Sequence, residues 1–411
     1  MTASAPLARR LGTADAVVVG LSAMLGAGVF SAYAPAAASA GSLLLVALAI
    51  AAFVAFCNAV ASAQLAAVYP SSGGTYLFGR EVLGAWWGFV AGWGFVIGKT
   101  ASCAAMAMTF AYYLFPDTSV LQRLSAAVAV VALTALNLRG ITRTAVAAKV
   151  LVTITVLVLV FFVVLVGTRE SVVPNAALAS AEPYGVLQAA GLLFFAFAGY
   201  ARIATLAEEV RRPEMIGRAI LIALSVAVTL YAVIGVVSVK VLGSSLAAAD
   251  APLMSAVDAV GASWAGPIVR CGAVAASLGA LLALIAGVSR TMLAMARERD
   301  LPSPFATVDE RHQVPAAAEI AVGVVVVLLV LLADLRGAIG FSSFGVLTYY
   351  FVTNASAFRQ PCKQRRWPRA FNILGMAGCA VLVATLPWQA VALGALVLAG
   401  GVLGRAALRR P

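Results

Sequence analysis

Lys99 lies near the middle of an apolar stretch, GWGFVIGKTASCAAMAMTF at 92–110, that is long enough to cross a membrane. Gly98, Lys99 and Thr100 match the end of a phosphate-binding loop, but that motif needs a glycine where the sequence has Trp93. A lysine at mid-membrane costs at least about 2.5 kcal/mol, so Lys99 is expected to face the bundle interior or water. Three roles stay open for it: a structural contact with a helix-end carbonyl, contact with a bound molecule, or proton transfer.

The composition is that of a polytopic membrane protein. Of 411 residues, 63% are hydrophobic and 11% are charged, and the mean hydropathy is +1.01. A helix needs about 20 mostly apolar residues to cross the hydrocarbon core, where each backbone N–H and C=O must bond internally. Twelve such segments are predicted. They are 14–39, 43–66, 84–114, 119–137, 145–167, 185–207, 217–242, 265–296, 315–333, 338–358, 370–386 and 388–404.

The distribution of positive charge predicts the orientation of these helices, because lysine and arginine accumulate in cytoplasmic loops. With the N-terminus in the cytoplasm, twenty-one of the 28 basic residues lie on the cytoplasmic side, and Lys99 and Arg202 lie within spans. The five outside are Arg123, Arg169, Lys240, Arg270 and Arg336. We therefore expect a multi-pass protein of the cytoplasmic membrane with both termini inside. Residues 1–13 lack the apolar core of a signal peptide, so the first span is expected to be retained.

Few side chains are available for catalysis or metal binding. The five cysteines show no metal-ligand spacing and are interpreted as packing residues, and His312, the one histidine, lies in a charged loop. A membrane enzyme or sensor needs converging carboxylates or histidines inside the bundle, and a channel needs a polar path; the spans suggest neither. We therefore expect no enzyme activity, no cofactor and no nucleic-acid partner, with an enzyme or sensor kept as the remote alternative.

Two predicted spans contain signs of an interrupted helix. The first has Gly26, Ala27 and Gly28 midway, and the sixth has Gly199 between aromatic residues with Arg202 soon after. Glycine lowers the cost of unwinding a helix by about 1 kcal/mol relative to alanine. An unwound turn frees N–H and C=O groups, and a zwitterion supplies partners for both, its carboxylate on N–H groups and its ammonium on carbonyls.

Close helix packing is the alternative explanation for small residues in membrane helices, and it is our interpretation of Gly84, Gly88 and Gly92 in the third span. The position of the two interruptions favours function. They fall in the first and sixth spans, where two five-helix repeats of opposite orientation place the broken helices of transporters.

Several longer motifs accompany these interruptions. They are GAGVF at 26–30 followed by AGS at 40–42, YPSSGGTYLF at 69–78, FFAFAGYARIATLAEEVRRPEMIGRAI at 194–220 and SRTMLAMARERDLPSPFATV at 289–308. With these motifs the sequence resembles an amino acid permease of the amino acid–polyamine–organocation superfamily over nearly the whole chain.

The resemblance implies an all-α integral membrane protein with twelve transmembrane helices in a single domain, 1–411. Its LeuT-like core consists of two inverted five-helix repeats, about 14–167 and 185–358, with broken first and sixth helices. Two peripheral helices follow at about 370–404. Such a protein works by alternating access.

The resemblance also implies a substrate site at the two breaks, formed largely by the backbone. Its members are Ala27 and Gly28 through N–H groups, Met24, Phe197 and Ala198 through carbonyls, and Gly26 and Gly199 at the unwound turns. Phe194 or Phe195 would close over the substrate as an outer gate. These aromatic side chains can equally be core residues, since aromatic residues beside a glycine usually pack.

Two departures from the family pattern bear on ion coupling. Ala201, followed by Arg202, stands where many members have an acidic residue, and Thr155 stands where several proton-coupled members have a lysine, whereas Lys149 lies nearer the cytoplasmic end. Thr155 and Ser289 can offer oxygens to a sodium ion, although hydroxyls in helices more often bond to their own backbone. Lys99, which the resemblance places near the substrate, is the remaining candidate to carry a coupling proton.

The sequence therefore predicts a secondary amino acid transporter. Neutral substrates are favoured because a charged Lys99 repels cationic side chains, and proton coupling or exchange is expected. An acidic amino acid, whose second carboxylate can pair with Lys99, is the alternative. The sequence does not distinguish uptake, export and exchange, nor does it define the oligomeric state.

Overall fold

The structure, a computed structural model, describes residues 11–69, 73–116, 118–172, 182–205 and 209–408. The predicted motifs at 69–78 and 194–220 therefore lie partly outside the described residues, at 70–72 and 206–208. Within the described ranges the secondary structure is helical, apart from one isolated parallel bridge between Leu11 and Val210.

The described residues form seventeen α-helices, numbered in chain order. They are α1 Thr13–Met24, α2 Ala27–Ser31, α3 Tyr33–Ala40, α4 Leu44–Ala66, α5 Thr75–Leu83, α6 Ala85–Leu114, α7 Ser119–Asn137, α8 Ile141–Gly167, α9 Pro183–Phe197, α10 Ala201–Ala204, α11 Ile216–Leu242, α12 Pro252–Ala259, α13 Gly266–Arg297, α14 Ala316–Leu332, α15 Leu335–Arg359, α16 Arg369–Thr385 and α17 Trp388–Leu408.

Each of the twelve predicted spans overlaps one of these helices or an interrupted series of them. Nine segments of the described chain are long and apolar enough to cross a membrane. Helices α14 and α16 are apolar but only 17 residues long, and α15 is long but carries many polar residues. The chain is thus a multi-pass membrane protein. The twelve-span arrangement and its division into repeats stay predictions.

The first predicted span is interrupted in its middle. Helix α1 ends at Met24, and Leu25 and Gly26 leave helical geometry, with ψ of 53° at Leu25 and φ, ψ of −109°, −143° at Gly26. The sixth span changes from α9 into a 3₁₀ turn at Ala198–Tyr200 before α10 begins. Both irregularities lie at the glycine-containing motifs.

Small residues allow α6 to approach its neighbours closely. A Cβ atom on Gly98 would lie 3.0 Å from Gly345 Cα on α15, and one on Gly92 would lie 2.8 Å from Met295 Sδ on α13. Gly88 is equally close to α5. The packing interpretation is wrong for Gly84, which has φ of +105° and open space around its Cβ position. Gly84 instead forms the turn between α5 and α6.

Two further sequence interpretations change. Three cysteines are buried, but Cys271 and Cys362 are exposed, so those two are not packing residues of the interior. The loop between the seventh and eighth spans contains α12, which was not predicted. It is a short amphipathic helix that begins at Pro252, a residue well suited to a first helical turn.

Helix α17 is joined to the core by a buried carboxylate. Asp300, just after α13, accepts hydrogen bonds from Arg405 Nε at 2.7 Å and Tyr76 OH at 2.8 Å, and Arg80 lies 3.4 Å away. The Arg405 guanidinium also stacks on Trp86, 4.3 Å from the ring centroid. The last helix is therefore tied to the end of α13 and to the start of α6.

We expect Asp300→Ala to lower the free energy of unfolding by about 3 kcal/mol, because it leaves the buried Arg405 without its carboxylate. Glu298→Ala is the matched control, since Glu298 pairs with Arg80 at 2.7 Å but its side chain is 42% exposed; it should cost less than about 1 kcal/mol. Thermal melting of the detergent-purified variants measures both. Equal melting temperatures for the two variants would contradict this role of Asp300.

Candidate substrate site at the two helix breaks

The two breaks contact each other directly. A Cβ atom on Gly199 would overlap the backbone of Ala23 and Met24, and one on Gly28 would overlap Ala196. Glycine at these two positions therefore permits the backbones of the first and sixth spans to touch. The predicted residues at the two breaks are brought together, and all of them are buried.

Tyr231, on α11, connects the two breaks. Its hydroxyl donates to Met24 O at 2.5 Å and lies 3.3 Å from Ala196 O, and its ring packs on Phe197 with centroids 5.1 Å apart. The Met24 carbonyl, predicted to receive a substrate ammonium, is thus bound by a side chain of the protein in this state. Sequence reasoning missed Tyr231; its one signal is a hydroxyl-bearing residue within a highly apolar span.

The N–H of Ala27, predicted to bind a carboxylate, has a weak partner. It donates to Met106 Sδ at 2.9 Å, while Gly26 N–H turns back to Met24 O at 2.7 Å. A Cβ atom on Gly26 would also meet the Met106 side chain and Ala280. A thioether sulfur is a poor acceptor compared with a carboxylate. An incoming carboxylate can therefore replace Met106 at this N–H with a gain in hydrogen-bond strength.

An aromatic cluster covers the other side of the sixth-span break. Tyr350, on α15, packs against Phe194 and Tyr200 with centroid distances of 5.8 and 5.0 Å, and its hydroxyl lies 3.4 Å from Ala198 O. Phe195 is also buried, at 3% exposure. Phe194 thus contributes to packing in this state, and the gate role of Phe194 or Phe195 stays a prediction.

Lys99 is buried inside the bundle, with 2% of its surface exposed. It shares a face of α6 with Cys103 and Met106, and lies about 10 Å along the helix from Met106, toward the start of α6. Within the part of the chain that the structure describes, Lys99 forms no ion pair and no hydrogen bond. The ammonium therefore has no acidic partner there that would hold it charged.

Thr155 and Ser289 are not brought together. Thr155 Oγ1 donates to Leu151 O at 2.8 Å, and Ser289 Oγ donates to Ala286 O at 3.0 Å. Because α8 packs against α13 between Gly272 and Gly279, Thr155 lies about 20 Å along α13 from Ser289. Each hydroxyl bonds to its own helix, and the pair does not form one ion site in this structure.

Lys149 lies away from the breaks. Its Nζ is 2.5 Å from Asp15 Oδ1, and half of its side chain is exposed. This pair joins α8 to the start of α1.

Beyond the sixth-span break lies a cluster of buried charges that the sequence did not reveal. Arg290, counted above with the cytoplasmic residues, is buried in α13 and contacts Glu209 Oε1 at 2.8 Å and Glu319 Oε1 at 3.0 Å. Next to it, Leu11 N donates to Glu209 O at 3.0 Å. These bonds join α13, α14 and the N-terminal segment at one end of the bundle.

A cavity of about 780 Å³ lies elsewhere, between α6, α14, α15 and α17. Its walls are almost entirely apolar and include none of the predicted substrate residues. It opens on the opposite face of α6 from Lys99, at residues such as Val96, Ile97 and Thr100. The polar backbone groups at the breaks are therefore the better candidate for binding a small polar molecule.

Two interrupted helices that face each other inside a membrane-helix bundle are typical of transporters. A family model described as amino acid permease matches residues 11–400, and the chain belongs to this family. It is 54% identical to an uncharacterized transporter of Mycobacterium tuberculosis over 402 residues, covering 96% of this chain and 90% of the relative.

Two more distant relatives have names that state a substrate class. The branched-chain amino acid permease BcaP of Bacillus subtilis is 26% identical, covering 94% of this chain and 90% of its own length. The vacuolar cationic amino acid transporter 4 of Arabidopsis thaliana is 28% identical, covering 83% of this chain and 61% of its own length. The family and these relatives are transporters rather than enzymes.

Gly28→Ala tests the contact between the breaks. The added methyl would overlap Ala196, so we expect the breaks to separate and amino acid uptake to fall at least tenfold. Gly400→Ala, on α17, is the control because a Cβ atom there meets open space. Uptake by purified variants in proteoliposomes, after size-exclusion chromatography confirms folded protein, measures the effect. Unchanged uptake by Gly28→Ala would show that transport does not require close contact between the two breaks.

Proposed function

We propose that this protein carries a zwitterionic amino acid across the cytoplasmic membrane by alternating access, with both termini in the cytoplasm. The substrate binds where the first and sixth spans are interrupted. The observation that carries the proposal is the bond from Ala27 N–H to Met106 Sδ, 2.9 Å long, beside a second interruption that touches the first. A buried N–H with only a thioether acceptor leaves a stronger partner to be supplied by the substrate carboxylate.

The substrate ammonium requires acceptors on the other side of the junction. Met24 O now accepts from Tyr231 OH, and Ala198 O lies 3.4 Å from Tyr350 OH. An ammonium is a stronger donor than a tyrosine hydroxyl, so it can replace either of these hydrogen bonds. In this structure, protein groups therefore occupy the positions that we assign to the two charged ends of the substrate.

Neutral side chains fit this site best. A buried ammonium at Lys99, with no acceptor among the described residues, repels a cationic substrate. The same ammonium gives the second candidate, an acidic substrate, a partner for its additional carboxylate. Lys99 is also the candidate coupling group, because a lysine side chain can release and take up a proton whereas a guanidinium cannot. Proton coupling at Lys99 and exchange are the two modes that we propose.

Radiolabelled amino acids tested one at a time in proteoliposomes, with and without pH and sodium gradients, examine the function directly. We expect accumulation of one or more neutral amino acids. The absence of transport of any amino acid by folded protein would contradict the proposal. Accumulation driven by a sodium gradient alone would contradict Lys99 as the coupling group.

Lys99→Ala separates the roles of this lysine. If Lys99 carries the coupling proton, the variant should lose accumulation driven by a pH gradient but retain exchange, and Lys99→Arg should not restore accumulation because a guanidinium stays charged. Lys240→Ala, which removes an exposed lysine at the end of α11, is the control. Selective loss of acidic substrates with an unchanged pH profile would instead make Lys99 a substrate ligand. Normal transport with the wild-type pH profile would leave it a structural residue.

A further inference from the structure

Arg202, on α10, is a buried arginine whose hydrogen-bond donors are only partly paired within the described residues. Only 1% of its surface is exposed, and its Nη1 donates to Thr205 Oγ1 at 2.8 Å. Its Nε and Nη2 have no acceptor within the described chain. A guanidinium stays charged at physiological pH, and buried donors without acceptors are costly. The edge of the Arg202 guanidinium formed by Nε and Nη2 therefore needs a hydrogen-bond acceptor that the described residues do not supply.

The neighbouring carboxylates are directed at another arginine. Both oxygens of Glu209 accept from Arg290 Nε, at 3.0 and 3.1 Å, and Glu319 Oε1 accepts from Arg290 Nη1 at 3.0 Å. Glu319 Oε2 has no hydrogen-bond partner among the described residues, so it does not accept from Arg202 either. Two arginines and two glutamates make the cluster formally neutral. A further anion would therefore be held by directed hydrogen bonds from Arg202 rather than by an excess of positive charge.

The position of Arg202 places this edge next to the proposed substrate site. Arg202 follows Ala198 by four residues, about 6 Å along a helix, and the turn Ala198–Tyr200 is the break itself. Its side chain runs past Gly287 of α13, where a Cβ atom would lie 2.9 Å from Arg202 Cδ. Arg202 thus lies between the break and the Arg290 cluster, on the side that the predicted orientation assigns to the cytoplasm.

The two unused donor positions match one chemical group. The N–H groups on Nε and on one Nη of a guanidinium are parallel, and they bind the two oxygens of a carboxylate together. We infer that the Nε–Nη2 edge of Arg202 is a second carboxylate site. It receives the α-carboxylate of the transported amino acid as the molecule leaves the helix breaks toward the cytoplasm. This inference rests on the proposed function.

Transport measured separately from each face tests the second site. In inside-out and right-side-out membrane vesicles, Arg202→Gln should raise the half-saturation concentration at the cytoplasmic face about tenfold or more and change the external value less than twofold. Arg202→Lys should behave like Arg202→Gln, because an ammonium keeps the charge but lacks the two parallel donors. Arg212→Gln, at an exposed cytoplasmic arginine, is the control and should match the wild type.

Sodium acetate serves as a probe of the edge itself. Acetate added at the cytoplasmic face should compete with the amino acid in the wild type and about tenfold less effectively in Arg202→Gln. Equal competition by sodium chloride would overturn the carboxylate assignment, because the edge would then bind any small anion.

Several results would overturn the inference while leaving the proposed function intact. One is an equal change, or no change, in the half-saturation concentration at the two faces in Arg202→Gln. Another is a change confined to the cytoplasmic face in Glu208→Gln, which would identify a carboxylate of this chain as the partner of Arg202. If Arg202→Gln does not fold, the same measurements on Arg202→Lys test the inference. A wild-type protein that transports no amino acid would instead contradict the proposed function.

Discussion

The bilayer's lack of hydrogen-bonding water is the constraint on which the rest of this structure depends. Every backbone N–H and C=O in the hydrocarbon region needs a partner from the protein. The first span gives up helical bonds at Leu25 and Gly26, and the sixth changes geometry at Ala198–Tyr200. The groups released there bond to side chains from other helices, chiefly Tyr231 and Met106. In the function that we propose, the substrate replaces these side chains during transport.

The same constraint explains how the surrounding helices are arranged. Backbone contact between the two breaks requires the glycines at 28 and 199, and the close approach of α6 to α15 requires Gly98 and Gly345. Buried charges are paired wherever a helix end must be joined, as at Arg290 with Glu209 and Glu319. Among the described residues, Arg202 and Lys99 make no ion pair, and both lie within a few turns of the breaks.

The sequence predicts the features that depend on one segment at a time. Apolar runs define the spans, and the glycines at 26, 28 and 199 locate the two irregular helices because glycine is cheap to unwind. A buried Lys99 follows from the cost of charge in a membrane. All of these can be recognised without knowing which helices touch.

The remaining features depend on contacts between distant segments. Tyr231 reaches Met24 across 207 residues, and Met106 reaches Ala27 across 79, so neither partnership has a local sequence signal. The wrong interpretation of Gly84 has the same origin, since a four-residue spacing cannot distinguish packing from a turn. Thr155 and Ser289 both carry a hydroxyl, but Thr155, on α8, packs about 20 Å along α13 from Ser289. Only the pairing of α8 with α13 reveals this separation.

Substrate protection of position 106 tests the central claim most directly. With Met106→Cys in a background without other cysteines, the rate of maleimide labelling is measured with and without a saturating concentration of a transported amino acid. If the substrate carboxylate takes the place of the Met106 sulfur at Ala27 N–H, labelling should slow at least fivefold. A control variant that keeps only Cys362, exposed in the loop before α16, should label at a constant rate. An unchanged labelling rate at position 106 would contradict binding at the helix breaks.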